Sequence, residues 1–198
     1  MSAATERAVL RTGEQIAIVR AEPADLQRVA EFYGELDDEA THFRFFGVRR
    51  HIPEAELRRV VGGDSRHITL LARMNGRLVG IGEYIVGDDP TEAEVAFAVA
   101  DDHHREGIAT LLLERLAIIA HDHGLLRLRA MVLAGNADMQ LVLRTIGLPT
   151  KNIFEDGIVQ TCLDISSLGS LREAIASRRV ATVKITAGTG AEMLTPFV

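Results

Sequence analysis

A single cysteine in 198 residues, Cys162, leaves no material for a disulfide framework or a multi-cysteine zinc site, and it suits a reducing compartment. No apolar run approaches the roughly 20 residues of a membrane span. The run around Leu111 to Leu113 is interrupted by Glu114 and Arg115. The N-terminus, Met1 to Arg11, carries charges and lacks the apolar core of a signal peptide, so the chain reads as cytoplasmic with no membrane contact. Basic charge is also in deficit. Lys and Arg total 22 against 28 Asp and Glu, a net charge of -6, which argues against a nucleic-acid partner. Internal repeats and low-complexity tracts are missing too. What remains, 47% apolar residues over 198 positions, suffices for one core and one domain with tails.

Periodicity divides that domain. Gln15 to Arg20 alternates as a strand does, and the turn Ala21-Glu22-Pro23-Ala24-Asp25 leads into helical spacing at Leu26, Val29, Ala30, Phe32 and Tyr33. Asp37-Asp38 breaks that helix, and a second short helix is predicted over Glu39 to Phe46. Pro53 suits the first turn of a third helix, which runs through Val61 and is stopped by Gly62-Gly63. His67 to Met74 and Arg77 to Val86 flank Asn75-Gly76, the strongest short hairpin signal, and Glu94 to Ala100 adds a third strand. From Gly107 the period changes to helical, with Ile108, Leu111, Leu112, Leu116, Ile119 and Ala120 on one face. Leu126 to Leu133 reads as a strand, Asn136 to Ile146 as a helix, and Asn152 to Ile165 as a hairpin turning at Glu155-Asp156-Gly157. A helix over Leu171 to Arg179 follows, after which pattern is lost.

Chemistry concentrates where the third meander strand meets the long helix, between Val99 and Thr110. Free N–H groups at a helix N-terminus attract anions, and the small residues Gly107 and Ala109 let a phosphate approach the backbone. By itself this is also the composition of an ordinary strand-to-helix junction.

The order of elements raises its significance. Strand, helices, three antiparallel strands, small-residue turn, long helix, strand, helix and closing hairpin resembles the GNAT acetyltransferase superfamily over residues 14 to 165. The resemblance implies an α/β (α+β) fold with a mixed, mostly antiparallel sheet of six to seven strands flanked by helices. It frames residues 1–13 as a flexible N-terminus and 166–198 as an extension. The superfamily's pyrophosphate loop reads here His104-Arg105-Glu106-Gly107-Ile108-Ala109, with both small positions kept and His104 in place of the usual Gln or Arg. Glu106 puts a carboxylate near the expected phosphates, beside Arg105. Three further pieces resemble bacterial protein lysine acetyltransferases that act on acyl-CoA synthetases: His42-Phe43-Arg44-Phe45-Phe46, Ala93-Glu94-Val95-Ala96-Phe97, and Gly107 through Glu114. In relatives of this kind the domain is often fused to a cyclic-nucleotide domain or a synthetase-like domain, and 198 residues accommodate neither.

The resemblance implies acetyl-CoA as cosubstrate, no metal, and a lysine-bearing protein as partner. Glu94 is then the general base. A lysine amine with pKa about 10.4 costs roughly 4 to 5 kcal/mol to neutralise at pH 7, so a proton acceptor is needed. His104, Arg105, Glu106, Gly107, Ile108, Ala109 and Thr110 would hold the pyrophosphate. The backbone at Phe97 and Val99 would pair with the pantetheine arm as an added strand. Asn136 matches the family asparagine that bonds CoA, and equally an N-cap. The tyrosine that protonates the leaving thiolate in many relatives is replaced by Leu143, a tolerable loss for a thiol of pKa about 8.5. His121 and His123, two apart at a helix end, read as caps on the dipole rather than metal ligands. His103 flanks the loop, and Cys162 reads as a small buried strand residue. Acetylation of a small amine or a protein N-terminus, or acyl-CoA sensing with little transfer, fits the same scaffold.

Overall fold

The computed structural model describes residues 6–47, 49 and 51–177. Its elements are β1 (Glu6–Val9), β2 (Gln15–Arg20), α1 (Leu26–Glu35), α2 (Asp38–Phe45), α3 (Glu54–Val61), β3 (His67–Met74), β4 (Arg77–Val86), β5 (Glu92–Val99), α4 (Ile108–Asp122), β6 (Arg127–Leu133), α5 (Ala137–Thr145), β7 (Thr150–Glu155) and β8 (Ile158–Asp164). A sixth helix, α6, covers residues 169–177. The strands form one mixed sheet in the order β1-β2-β3-β4-β5-β6-β8-β7, with only the β5–β6 pairing parallel.

Local chemistry accounts for most boundaries. The Asp37 carboxylate accepts from the Ala40 N–H at 2.7 Å and so starts α2 rather than merely ending α1. Asn75 and Gly76 both have positive φ, 50° and 84°, the geometry of a two-residue hairpin turn between β3 and β4. Asp156 and Gly157 repeat it, at 48° and 77°, between β7 and β8.

The sheet has a core on each face. On one side Leu112, Leu113 and Leu116 of α4 pack over Ile68, Leu70, Val95 and Leu128, joined by Leu143 of α5 and Leu171 of α6. Each such side chain contributes on the order of 1.5–3 kcal/mol on burial. Gly82 permits the close approach of α4: a Cβ there would stand 3.0 Å from the Phe97 ring and 3.1 Å from Leu112 Cβ. On the other side Val29, Phe32 and Tyr33 of α1 and Leu57, Val60 and Val61 of α3 cover Leu71, Ile81 and Ala98.

The sheet has eight strands rather than six to seven. The added one is β1, inside the segment expected as a flexible N-terminus. It pairs with β2 from Glu6↔Ile18 to Val9↔Gln15, and the Glu6 carboxylate binds Arg115 of α4. A partner 109 positions away leaves no mark on local periodicity. The last expected helix is present through residue 177; residues 178 and 179, and the patternless tail beyond them, lie outside the described residues. Among the described residues no helix is long and apolar enough to cross a membrane.

Candidate active site

A fork in the sheet organises the site. β5 and β6 pair over only three positions, Glu92↔Arg127, Ala93↔Leu128 and Glu94↔Arg129. Beyond them β6 stays with β8 as far as Leu133, and β5 stays with β4 as far as Val99. The Ala100 N–H donates to the Val79 carbonyl at 3.0 Å, so even-numbered residues of β5 turn their main-chain groups toward β4. Val95, Phe97 and Val99 therefore turn theirs to the open edge, since such groups alternate along a strand. This edge can accept an extended chain as a further strand.

Glu94 stands at the fork. Its side chain is exposed on the α1–α3 face, in a row across the sheet between Ile85 and Arg129. Its neighbour Glu92 is already held by Arg127 and, at 3.2 Å, by Arg129. Among the described residues the Glu94 carboxylate has neither hydrogen bond nor ion pair, so it is open to a proton donor arriving from solvent. Toward β6, β8 and β7 the same face continues through Arg129, Met131, Gln160 and Ile153, with Met131 and Ile153 exposed.

At the other end of β5, about 16 Å away at roughly 3.3 Å per residue, the chain makes one 3₁₀ turn, Asp101–His103, and enters α4. Gly107 caps that helix at φ 99°, a conformation that asks for glycine although the space around it is open. Arg105 also has positive φ, 64°. No side chain caps α4. The first N–H to find a helical acceptor is that of Leu111, bonded to the Gly107 carbonyl at 3.0 Å, which leaves those of Ile108, Ala109 and Thr110 pointing out of the helix end. The Ile108 side chain is buried, so this residue offers the loop only its backbone.

The loop's charged side chains are engaged with one another and with α5. His103 Nδ1 meets the Glu106 carboxylate at 2.9 Å, His104 donates to the Val99 carbonyl at 3.2 Å, and Arg105 reaches Asp138 at 3.0 Å. Asn136 caps α5 by accepting from the Met139 N–H at 3.0 Å, which leaves its amide nitrogen as a donor. Main-chain donors at a helix end, reached along a free strand edge, fit a ligand with an extended amide arm and a phosphate head.

The remaining singled-out residues lie elsewhere. Leu143 is 1% exposed in the core and presents nothing to the fork. His121 donates to the Ile165 carbonyl at 2.8 Å, and His123 shares a 2.6 Å hydrogen bond with the Tyr84 hydroxyl, which burial pushes up to about 12. Both join α4 to its neighbours. Cys162 is half-buried on β8.

Sequence reasoning missed a buried charge cluster beside Glu94. Glu83 of β4 binds Arg44 of α2, and His67 Nε2 of β3 at 2.7 Å. Burial opposes the charge of Glu83, but the His67 hydrogen bond and the Arg44 guanidinium outweigh it and hold the carboxyl below its ordinary range. The signal available was the arginine inside the aromatic run His42 to Phe46, which had no partner in its own segment.

Residues 26–147 match the model of the Acetyltransferase (GNAT) family. The chain is 29% identical over 184 residues to Acetyltransferase Pat of Mycolicibacterium smegmatis, a match covering 89% of this chain and 54% of Pat. It therefore spans about half the length of that relative. Among solved structures it is similar to the GNAT domain of S. lividans PAT, with a TM-score of 0.75 and 30% identity over 81% of this chain and 96% of that one. It is also similar to a cAMP-binding acyltransferase from Mycobacterium smegmatis, with a TM-score of 0.61 and 25% identity over 96% of this chain and 57% of that one.

Proposed function

Because the chain belongs to the GNAT acetyltransferase family, an enzyme family that uses acetyl-CoA, we propose that it transfers an acetyl group to a lysine side chain of a cytoplasmic protein such as an acyl-CoA synthetase. The observation that carries the reading is the fork: an exposed, unpaired Glu94 where β5 leaves β6, and a free strand edge running from it to the uncapped start of α4. The protein-lysine part rests on the likeness of His42 to Phe46, Ala93 to Phe97 and Gly107 to Glu114 to bacterial protein lysine acetyltransferases.

Acetyl-CoA supplies the acetyl group as a thioester. The main-chain groups of Phe97 and the N–H of Val99, whose carbonyl is taken by His104, hold its arm, and the N–H groups of Gly107, Ile108, Ala109 and Thr110, with His104 and Arg105 around them, meet its phosphates. Asn136 donates from its amide. Glu106 is held by His103 Nδ1 at 2.9 Å beside that anion. At the fork Glu94 takes the proton the acceptor ammonium must shed, directly or through water. The neutral amine attacks the thioester carbonyl, the C–N bond forms, the C–S bond breaks and the sulfur leaves as thiolate, while the second proton of the attacking nitrogen passes to that thiolate or to solvent. No side chain replaces the family tyrosine at Leu143.

The test is incubation with labelled acetyl-CoA and a panel of acyl-CoA synthetases, followed by mapping of the labelled lysine. Label on one lysine that vanishes with Glu94→Gln supports the reading. Label on small amines alone moves the substrate to that class, and label on nothing overturns the choice of synthetases.

A further inference from the structure

Stability alone does not account for the charge beneath the acceptor side of the fork. Glu83 is 5% exposed, with Arg44 and His67 both mostly covered around it. Buried ion clusters of this kind are commonly no more stabilising than well-packed apolar residues of the same volume. Yet three elements each contribute a member: α2 and, far from it in sequence, both strands of the β3–β4 hairpin.

Its position is specific. Glu83 stands opposite Ala96 and Ile85 opposite Glu94, so Glu83 is one step along the sheet from Glu94 and on the same face. Arg44, held by Glu83, lies over the Phe45 ring at 4.9 Å from its centroid, and Arg49 lies over that ring at 5.1 Å. Phe45 in turn packs on Tyr33 at 5.6 Å, whose buried hydroxyl lies close enough to the Arg44 guanidinium to feel its charge. The chain then turns at Phe46, which has φ 57° and is 39% exposed. Through Arg44 and Phe45 the carboxylate thus sets how the C-terminal end of α2 sits against β4 and β5. The cofactor loop is carried by α4 on the opposite face and shares none of these contacts.

We propose that Glu83 is a positioning residue for the acceptor amine: it orients the Arg44–Phe45–Phe46 end of α2 that walls the fork beside Glu94. The proposal rests on the reading of Glu94 as the place of transfer, and not on whether the amine belongs to a protein. In this arrangement the arginine of the aromatic run faces inward and shapes the wall, leaving Phe46 as the group that meets the partner.

The experiment compares steady-state constants for both substrates, using whichever amine the wild type acetylates, protein or small. Failure of the synthetase panel therefore leaves this comparison measurable. For Glu83→Gln the acceptor kcat/KM is expected to fall about tenfold or more, with the KM for acetyl-CoA within about twofold of wild type. A charge-free pair, Arg44→Met with Glu83→Leu, keeps the volume filled; it is expected to melt near the wild-type temperature and retain the acceptor defect. Phe45→Leu keeps the ion pair but removes the ring, and is expected to show the same one-sided loss. Wild-type acceptor constants in the charge-free pair would mean the cluster serves the fold alone. Equal losses for both substrates in Phe45→Leu would likewise overturn the proposal.

Discussion

At the Val99 end of β5 the groups that the proposed function uses are main-chain: the open edge at Phe97 and the Val99 N–H, and the uncapped N–H groups at the start of α4. At the Glu94 end they are side chains: Glu94 itself, with Ile85 and Arg129 beside it and Arg44, Glu83 and His67 behind. Main-chain recognition tolerates substitution because every residue carries the same groups. On the proposed reading this lets side chains such as His104 and Glu106 occupy the loop, with the backbone demand concentrated at Gly107, at φ 99°, and at Arg105, at φ 64°. Side-chain recognition has no such tolerance, and single changes at the Glu94 end should be costly.

The largest effect expected is at Glu94. Glu94→Gln should lower the transfer rate by about 10²- to 10⁴-fold, while calorimetry finds acetyl-CoA binding unchanged. A loss of both together would erase the division between the two ends. Next is Gly107→Val. A left-handed conformation costs a branched residue roughly 1–2 kcal/mol, so the KM for acetyl-CoA should rise about 5- to 30-fold with kcat at saturation retained. An unchanged KM would mean that the loop makes no close backbone approach to the cofactor. Glu106→Gln should act in the opposite direction. A carboxylate near a helix N-terminus and its bound anion is worth about 0.3–1 kcal/mol, so acetyl-CoA should bind roughly two- to fivefold tighter, less so in high salt. Weaker binding would show that Glu106 serves chiefly to hold His103. The smallest change belongs to Arg105→Ala. Its pair with Asp138 is exposed on both sides, and removing such a pair alters stability by less than about 1 kcal/mol, readable as a small shift in thermal unfolding.

The same contrast explains what could be read from sequence. The hairpin at Asn75-Gly76, the start of α4 at Gly107 and the cap at Asn136 are local signals, each written in neighbouring residues, and each lies where expected. The open edge at Phe97 and Val99 was legible through the family's order of elements. β1 was not, because a four-residue strand exists through pairing with β2 and the Arg115–Glu6 contact rather than through its own periodicity. Nor was the Glu83 cluster, since strand alternation marks a residue's face but not the arginine that a distant helix lowers onto it. Leu143 shows the converse. The resemblance sets this position against a tyrosine of the family, and here its leucine is buried in the core.

The shortness of the β5–β6 seam has a consequence for the free protein. Among the described residues, three residue pairs form the only backbone ladder between the five strands β1 to β5 and the other three. An acyl-CoA arm bonded to Phe97 and Val99 would lengthen that ladder without being part of the chain. Their amides should then exchange with solvent quickly in the free protein and slowly in the complex. A ligand at a hundredfold excess over its dissociation constant adds about 2.7 kcal/mol to folding stability. The melting temperature, and with it the protein's resistance to proteolysis, would therefore rise and fall with the supply of acetyl-CoA.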